Sequence, residues 1–205
     1  MPKLQVTKTI AAHLSEDPVL KLRIEHRGLL SISLKQDPLR AILGAIIGQQ
    51  LSNKVSAVIW NRFETFLAGE ITPVAILNAS DDALRALGIS YAKIKYLKNV
   101  SESILLGQLD FERMRTLSDE DAMHLLTQIK GIGPWTAEMF MIFTMGRENI
   151  FSLGDVSLQR AIEKLYKLDN LNKSKMKEIS DYWSPYRTYG ALYLWDFVDE
   201  GESMW

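Results

Sequence analysis

The chain has 205 residues, with 24 Lys plus Arg set against 25 Asp plus Glu, a net charge of −1 and 47% hydrophobic residues. That mix excludes a disordered, collagenous or charged-tail protein. The chain has no cysteine, which removes disulfide frameworks, iron–sulfur clusters, thiolate zinc sites and cysteine nucleophiles.

From the N-terminus, Lys3–Ile10 reads as a short strand, and Leu29–Leu34 as the only other one. Between and beyond them the pattern is helical. Asp17-Pro18, Asp37-Pro38, Thr72-Pro73, Gly133-Pro134 and Ser184-Pro185 each put proline after a capping residue or a glycine and ahead of a periodic apolar run. Proline is favoured at the first helical position, where its missing N–H would be unpaired anyway. Behind Pro38, the residues Leu39, Ile42, Leu43, Ile46 and Ile47 form one helix face, and Val55, Val58, Ile59 and Phe63 repeat the pattern after Ser52. Leu87-Gly88-Ile89-Ser90 precedes Lys93, Lys95 and Lys98, three lysines that read as phosphate-facing or, more simply, as a solvated helix face. Ser118 with Asp121 resembles a capping box opening a helix through Leu125 and Leu126. The expectation is a mainly α-helical protein of about ten helices.

Charge is uneven along the chain. Residues 1–66 carry nine basic and five acidic groups, and residues 148–205 carry seven basic and ten acidic. A domain held on nucleic acid mainly by charge would usually be more basic than this, so local geometry must do much of any such binding.

The most informative stretch runs Ile129-Lys130-Gly131-Ile132-Gly133-Pro134-Trp135-Thr136-Ala137. It reads as helix, tight turn, helix. The glycines permit positive φ and close approach, and the helix opened by Pro134 presents free N–H groups and a positive dipole end, a combination that binds phosphate without a side-chain charge. Lys130 could add an ordinary phosphate contact. A plain helical hairpin would share the Gly-x-Gly. Downstream, Asp155 precedes the helix starting at Val156, where an N-cap is the ordinary role of an aspartate.

The hairpin sequence resembles that of the helix-hairpin-helix DNA glycosylases. Phe151-Ser152-Leu153-Gly154-Asp155-Val156-Ser157-Leu158 is similar to the loop and aspartate that follow it in that superfamily. Ile46-Ile47-Gly48-Gln49-Gln50-Leu51-Ser52 is similar to the segment that fills the duplex where a base has been removed. The three motifs stand in order between about residues 38 and 196, and the nearest branch is the 3-methyladenine DNA glycosylase II, or alkylbase glycosylase, group. The length before Asp37 implies the compact form without an N-terminal β lobe.

The resemblance implies an all-α fold of one domain, residues 1–205, with two helical lobes and the base pocket in the cleft between them. Lobe one would span about 39–107, completed by 1–38 and 169–205, and lobe two about 108–168. Asp155 would be catalytic, stabilising the positive charge that N-glycosidic cleavage leaves on the sugar or helping water attack. Trp135 stands where strand-cleaving members carry a Schiff-base lysine, implying a monofunctional enzyme. Trp135, Met139 and Trp195 would form the substrate pocket, the tryptophans attracting a methylated cationic base. Met139 departs from the tyrosine of larger bacterial members, and a core role for Trp135 is the plain alternative.

DNA contacts would come from Gln49, Gln50, Leu51, Ser52, Lys130, Gly131, Ile132, Gly133 and Thr136, with Gln50 or Leu51 entering the gap; a capped helix end with Ser52 as the next N-cap would explain the glutamines equally. The resemblance also implies a monovalent cation held by the main-chain carbonyls of Thr127, Ile129 and Ile132, and no cofactor required for the chemistry. The expected partner is double-stranded DNA containing alkylated bases, acted on by a monomer. The longest apolar stretch, Ala41–Ile47, falls far short of the ~20 residues of a bilayer span, and no apolar segment follows the basic N-terminus. The expectation is a soluble intracellular protein, cytoplasmic and nucleoid-associated in a bacterium or archaeon, nuclear in a eukaryote. The rivals are a non-catalytic helix-hairpin-helix module that holds DNA, a glycosylase for another damaged base, and a helical protein–protein scaffold.

Overall fold

A computed structural model describes residues 2–202. The first elements are β1 (Lys3–Gln5), α1 (Lys8–Leu14), α2 (Pro18–Arg27) and β2 (Ser31–Ser33). There follow α3 (Pro38–Gly48), α4 (Asn53–Phe66), α5 (Pro73–Asn78), α6 (Asp81–Ala86), α7 (Tyr91–Leu105), α8 (Phe111–Arg115), α9 (Asp119–Thr127) and α10 (Pro134–Phe143). The chain continues with α11 (Val156–Leu165), α12 (Lys173–Asp181) and α13 (Arg187–Glu202). Helices thus dominate the described residues, as the periodicity predicts.

The local chemistry follows the capping reading closely. Asp17, Asp37 and Thr72 cap α2, α3 and α5 with proline in the first turn. Ser118 Oγ accepts the Asp121 N–H at 3.1 Å and donates to its carboxylate at 2.7 Å, so the expected capping pair forms through the hydroxyl. Two expectations are corrected. The strand beginning at Lys3 ends at Gln5, because Thr7 accepts the Ile10 N–H and starts α1 instead. Pro185 follows a cis peptide bond and does not open a helix; α13 begins at Arg187.

The chain divides into two compact units, at Leu34/Lys35 and Phe140/Met141. The continuous unit, Lys35–Phe140, is centred on α7, which packs against α3, α5 and α6. Ala41, Ile42, Leu43, Ile46 and Ile47 of α3 and Ile94, Leu97 and Val100 of α7 are buried; a fully buried aliphatic side chain contributes about 1.5–3 kcal/mol.

The second unit joins residues up to Leu34 with those from Met141 onward. There β1 pairs antiparallel with β2, Leu4 opposite Ile32, and α13 packs against α11, α12 and α2. Four consecutive α13 residues, Ala191, Leu192, Tyr193 and Leu194, are buried, so this helix is enclosed all round. Arg23 and Arg27 of α2 clamp Asp196 and Glu200 of α13 at 2.7–3.0 Å.

The division differs from the expected lobes. Residues 108–140 belong with 39–107 because the α9–α10 turn sits on α7: Asn99 Nδ2 donates to Lys130 O at 3.0 Å, and the ring of Tyr96 fills the space beside Gly131. Residues 141–168 join the other unit because α11 packs on α13.

Candidate functional site

In the continuous unit the turn between α9 and α10 is the tight hairpin that its glycines predict. Ile132 N donates to Ile129 O at 3.0 Å, and Ala137 N to Gly133 O at 3.0 Å. Gly131 has φ 113°, a conformation that L side chains avoid. Lys130, Gly133 and Pro134 are exposed, Gly131 is partly so, and Ile129 and Ile132 are buried beneath. Thr136 is only 3% exposed.

The α3–α4 turn stands beside this hairpin. Gln49 Nε2 donates both hydrogens to it, to Gly131 O and Thr136 Oγ1 at 3.1 Å each. Gln50 is exposed with φ 57°, Leu51 is half-buried, and Ser52 caps α4 by accepting the Val55 N–H. Of the two glutamines, then, Gln49 is committed to the protein and Gln50 projects outward. Gln49, Gln50, Lys93, Tyr96, Lys130 and Trp135 are among the residues lining an open groove of about 690 Å³.

The lysines of α7 separate into distinct roles. Lys93 Nζ donates to Ile47 O and Gln49 O at 2.8 Å each, closing the end of α3, and burial holds its pKa below the ordinary lysine value. Lys98 pairs with Asp81 at 2.5 Å, and Lys95 is exposed. Lys93 lies on the same helical face as Leu97 and Val100, but its partners on α3 show only in the fold. Tyr96 and Asn99, three and six positions further on, are likewise apparent only once the hairpin is seated on them.

Trp135, on α10, is 42% exposed, and Met139, one turn on, is half-buried. The cation suggested at Thr127, Ile129 and Ile132 would have oxygen donors only. Ile129 O already accepts one N–H, and a carbonyl has a second lone pair, so these residues suit a hard cation. Among the described residues no His, Cys, Asp and Glu cluster could hold a metal.

In the discontinuous unit, Asp155 is 8% exposed and forms the N-cap of α11. Its Oδ1 accepts the Leu158 N–H at 2.9 Å and the Trp195 indole N–H at 3.4 Å. The Asp155 N–H closes the preceding loop on Ser152 O at 3.3 Å. The Trp195 ring lies 5.4 Å from that of Phe143. The structure thus brings Asp155 and Trp195, 40 residues apart, into one hydrogen-bonded pair. The capping role expected of an isolated aspartate is real, and it coexists with a second, tertiary partner. No helix among the described residues is long and apolar enough to cross a membrane.

Known proteins resemble this chain in sequence and fold. Over residues 43–185 the chain matches the HhH-GPD superfamily base excision DNA repair protein model. It is 34% identical to DNA-3-methyladenine glycosylase 1 of Schizosaccharomyces pombe over 165 residues, 78% of this chain and 72% of the relative. The crystal structure of a DNA-3-methyladenine glycosidase from Bacillus halodurans superposes with a TM-score of 0.86 at 35% identity, covering 96% of this chain and 92% of the other. A 3-methyladenine DNA glycosylase of S. pombe, solved in complex with abasic DNA, gives 0.84 at 32% identity, covering 92% and 95%. With that match across most of its length, the chain belongs to the HhH-GPD superfamily of base excision DNA repair proteins.

Proposed function

We propose that this chain is a monofunctional DNA glycosylase that removes alkylated purines, such as 3-methyladenine and 7-methylguanine, from double-stranded DNA and leaves an abasic site. The observation that carries the reading is the buried Asp155 carboxylate, fixed by the α11 cap and the Trp195 indole. A carboxylate held in one rotamer suits the stabilisation of a transient charge.

A purine alkylated at N3 or N7 is cationic. When its bond to the sugar breaks, the electron pair moves to the base and neutralises it, while positive charge develops on the sugar. Asp155 meets that charge, and water then adds to the sugar carbon with loss of a proton. Trp135 has no amine with which to form a Schiff base, so strand cleavage is not expected. Its exposed ring is suited to stacking on a cationic base. The hairpin main chain, joined by Lys130, would hold a backbone phosphate, and a monovalent cation on the carbonyls of Thr127, Ile129 and Ile132 would stiffen that turn without taking part in the chemistry. Gln50 or Leu51 would fill the place of the extruded base.

The test is release of free methylated bases from alkylated duplex DNA by wild type and by Asp155→Asn. Release by wild type alone, with strand breaks appearing only after alkali, is expected. Tight DNA binding without release of any base would instead favour a binding module, and full activity in Asp155→Asn would remove that residue from its role.

A further inference from the structure

Helix α3 ends on a turn that the proposed function sends toward a polyanion. The C-terminal end of a helix carries roughly half a negative charge on its unpaired carbonyls, so a bare α3 end would oppose a DNA strand beside it. In this protein the carbonyls of Ile47 and Gln49 are both taken by one ammonium, Lys93 Nζ, at 2.8 Å. Immediately after this clamp Gln50 adopts φ 57°, a left-handed conformation costly for a residue with a side chain and retained only where its surroundings impose it. The side chain of Gln49 then runs the other way, to Gly131 O and Thr136 Oγ1. The same face of α7 supports the hairpin from below through Tyr96 and Asn99.

We propose that Lys93 is a positioning residue for duplex opening: it holds the Gln49–Ser52 turn in its inserting conformation before DNA arrives and, through Gln49, ties that turn to the phosphate-binding hairpin, so that gripping the strand and filling the gap act as one event. This rests on the glycosylase reading in taking the Gln50–Leu51 turn as the inserting segment and the α9–α10 hairpin as the phosphate site. A surface lysine contacting phosphate would add affinity; Lys93 faces its own main chain, and its effect falls on what the turn does once DNA is bound. Burial, which holds its pKa down, accords with this inward orientation.

The experiment uses the full chain with Lys93→Met and Lys93→Arg. The probe is a duplex containing a tetrahydrofuran abasic analogue opposite 2-aminopurine, whose fluorescence reports displacement of the orphaned base. We expect Lys93→Met to bind this duplex within about threefold of wild type, because phosphate contacts position the protein, yet to lose most of the fluorescence response. On alkylated duplex its single-turnover rate should fall about tenfold or more, with half-saturation little changed, as misplacement of a positioning group implies. Lys93→Arg should restore the greater part of both.

An unchanged fluorescence response in Lys93→Met, or a loss confined to affinity, overturns the proposal. If Lys93→Met does not fold, Gln49→Leu decides, since severing the tie to the hairpin should abolish the same signal; an intact response there also overturns it. Wild type that gives the fluorescence response but releases no base refutes the glycosylase reading alone. Wild type that releases base while Lys93→Met matches it in every readout refutes the role of Lys93 alone.

Discussion

Gly131→Ala should unfold the hairpin's support more than any other single methyl group added in that turn. Two costs combine. At φ 113° an alanine is held in a region that costs about 1–3 kcal/mol. Its Cβ would also lie 2.4 Å from Cβ and Cγ of Tyr96, atoms next to the α7 backbone that cannot swing aside as the tip of a long side chain can; overpacking of this kind costs about 1–3 kcal/mol. Together they give about 2–6 kcal/mol, a large part of the roughly 5–15 kcal/mol that holds a native protein. For a protein of this size each kcal/mol lowers Tm by about 2–4 °C, so a fall of about 10 °C is expected by thermal denaturation followed by circular dichroism. The control is Gly133→Ala, where the added Cβ meets nothing within 4 Å and Tm should move by about 1–2 °C at most. Adding Tyr96→Ala to Gly131→Ala should remove the contact with the ring but not that with Cβ or the backbone cost, so part of the packing cost is recovered and the two changes should be non-additive. Equal Tm values for the two alanine variants, or strict additivity in the double variant, would refute the account.

Asp155→Asn should abolish base release while leaving stability within about 0.5 kcal/mol, because asparagine caps a helix as well as aspartate does; a large stability loss by urea titration would make the residue structural instead. Asp17→Ala should cost about 3–5 kcal/mol in the same titration, since it removes the α2 cap at Val19 and Leu20 and strands the Tyr166 hydroxyl and the Trp183 indole N–H. A loss under about 1 kcal/mol would mean that those groups find other partners. Alkaline pH supplies a further test. Burial, and then the Asp17 carboxylate, raise the Tyr166 pKa well above its ordinary value of 10, so the folded state keeps a proton that the unfolded chain releases. Stability should therefore be intact below about pH 10 and fall above it, by up to about 1.4 kcal/mol per pH unit from this residue. Tyr166→Phe should flatten that decline in Tm measured across pH 9–11, and an unaltered slope would show that Tyr166 does not set it.

Much of the site could be read from sequence because it depends on local rules. Pro134 after Gly-Ile-Gly marks a helix start, and Asp155 before Val156 marks a cap; both are decided within four residues. What could not be read was decided at a distance. The 82-residue reach from Gln49 to Gly131 and the 40-residue reach from Trp195 to Asp155 leave no trace in spacing. Lys93 was legible only as one of three lysines, because whether a lysine is solvated or inserted depends on which neighbour lies over it. The compact units divide the chain elsewhere than the expected lobes for the same reason: a boundary near residue 107 follows the run of helices, whereas Tyr96 and Asn99 bind the following hairpin back onto α7.

The discontinuity of the unit built from both ends of the chain has a consequence for its synthesis. Arg23 waits for Asp196 and Glu200, 173 and 177 positions later, Gly28 O for the Tyr193 hydroxyl across 165 positions, and Asp17 for Trp183 across 166. On a ribosome, β1, α1 and α2 therefore emerge before α13 and wait for it, while every contact within Lys35–Phe140 is available earlier. The apolar residues Leu4, Val6, Ile10, Leu14 and Leu20, all buried in the finished molecule, stand exposed through most of translation. The segment from β1 to α2 is thus open to aggregation or chaperone capture until α13 is made, and translation pauses within α13 should prolong that exposure.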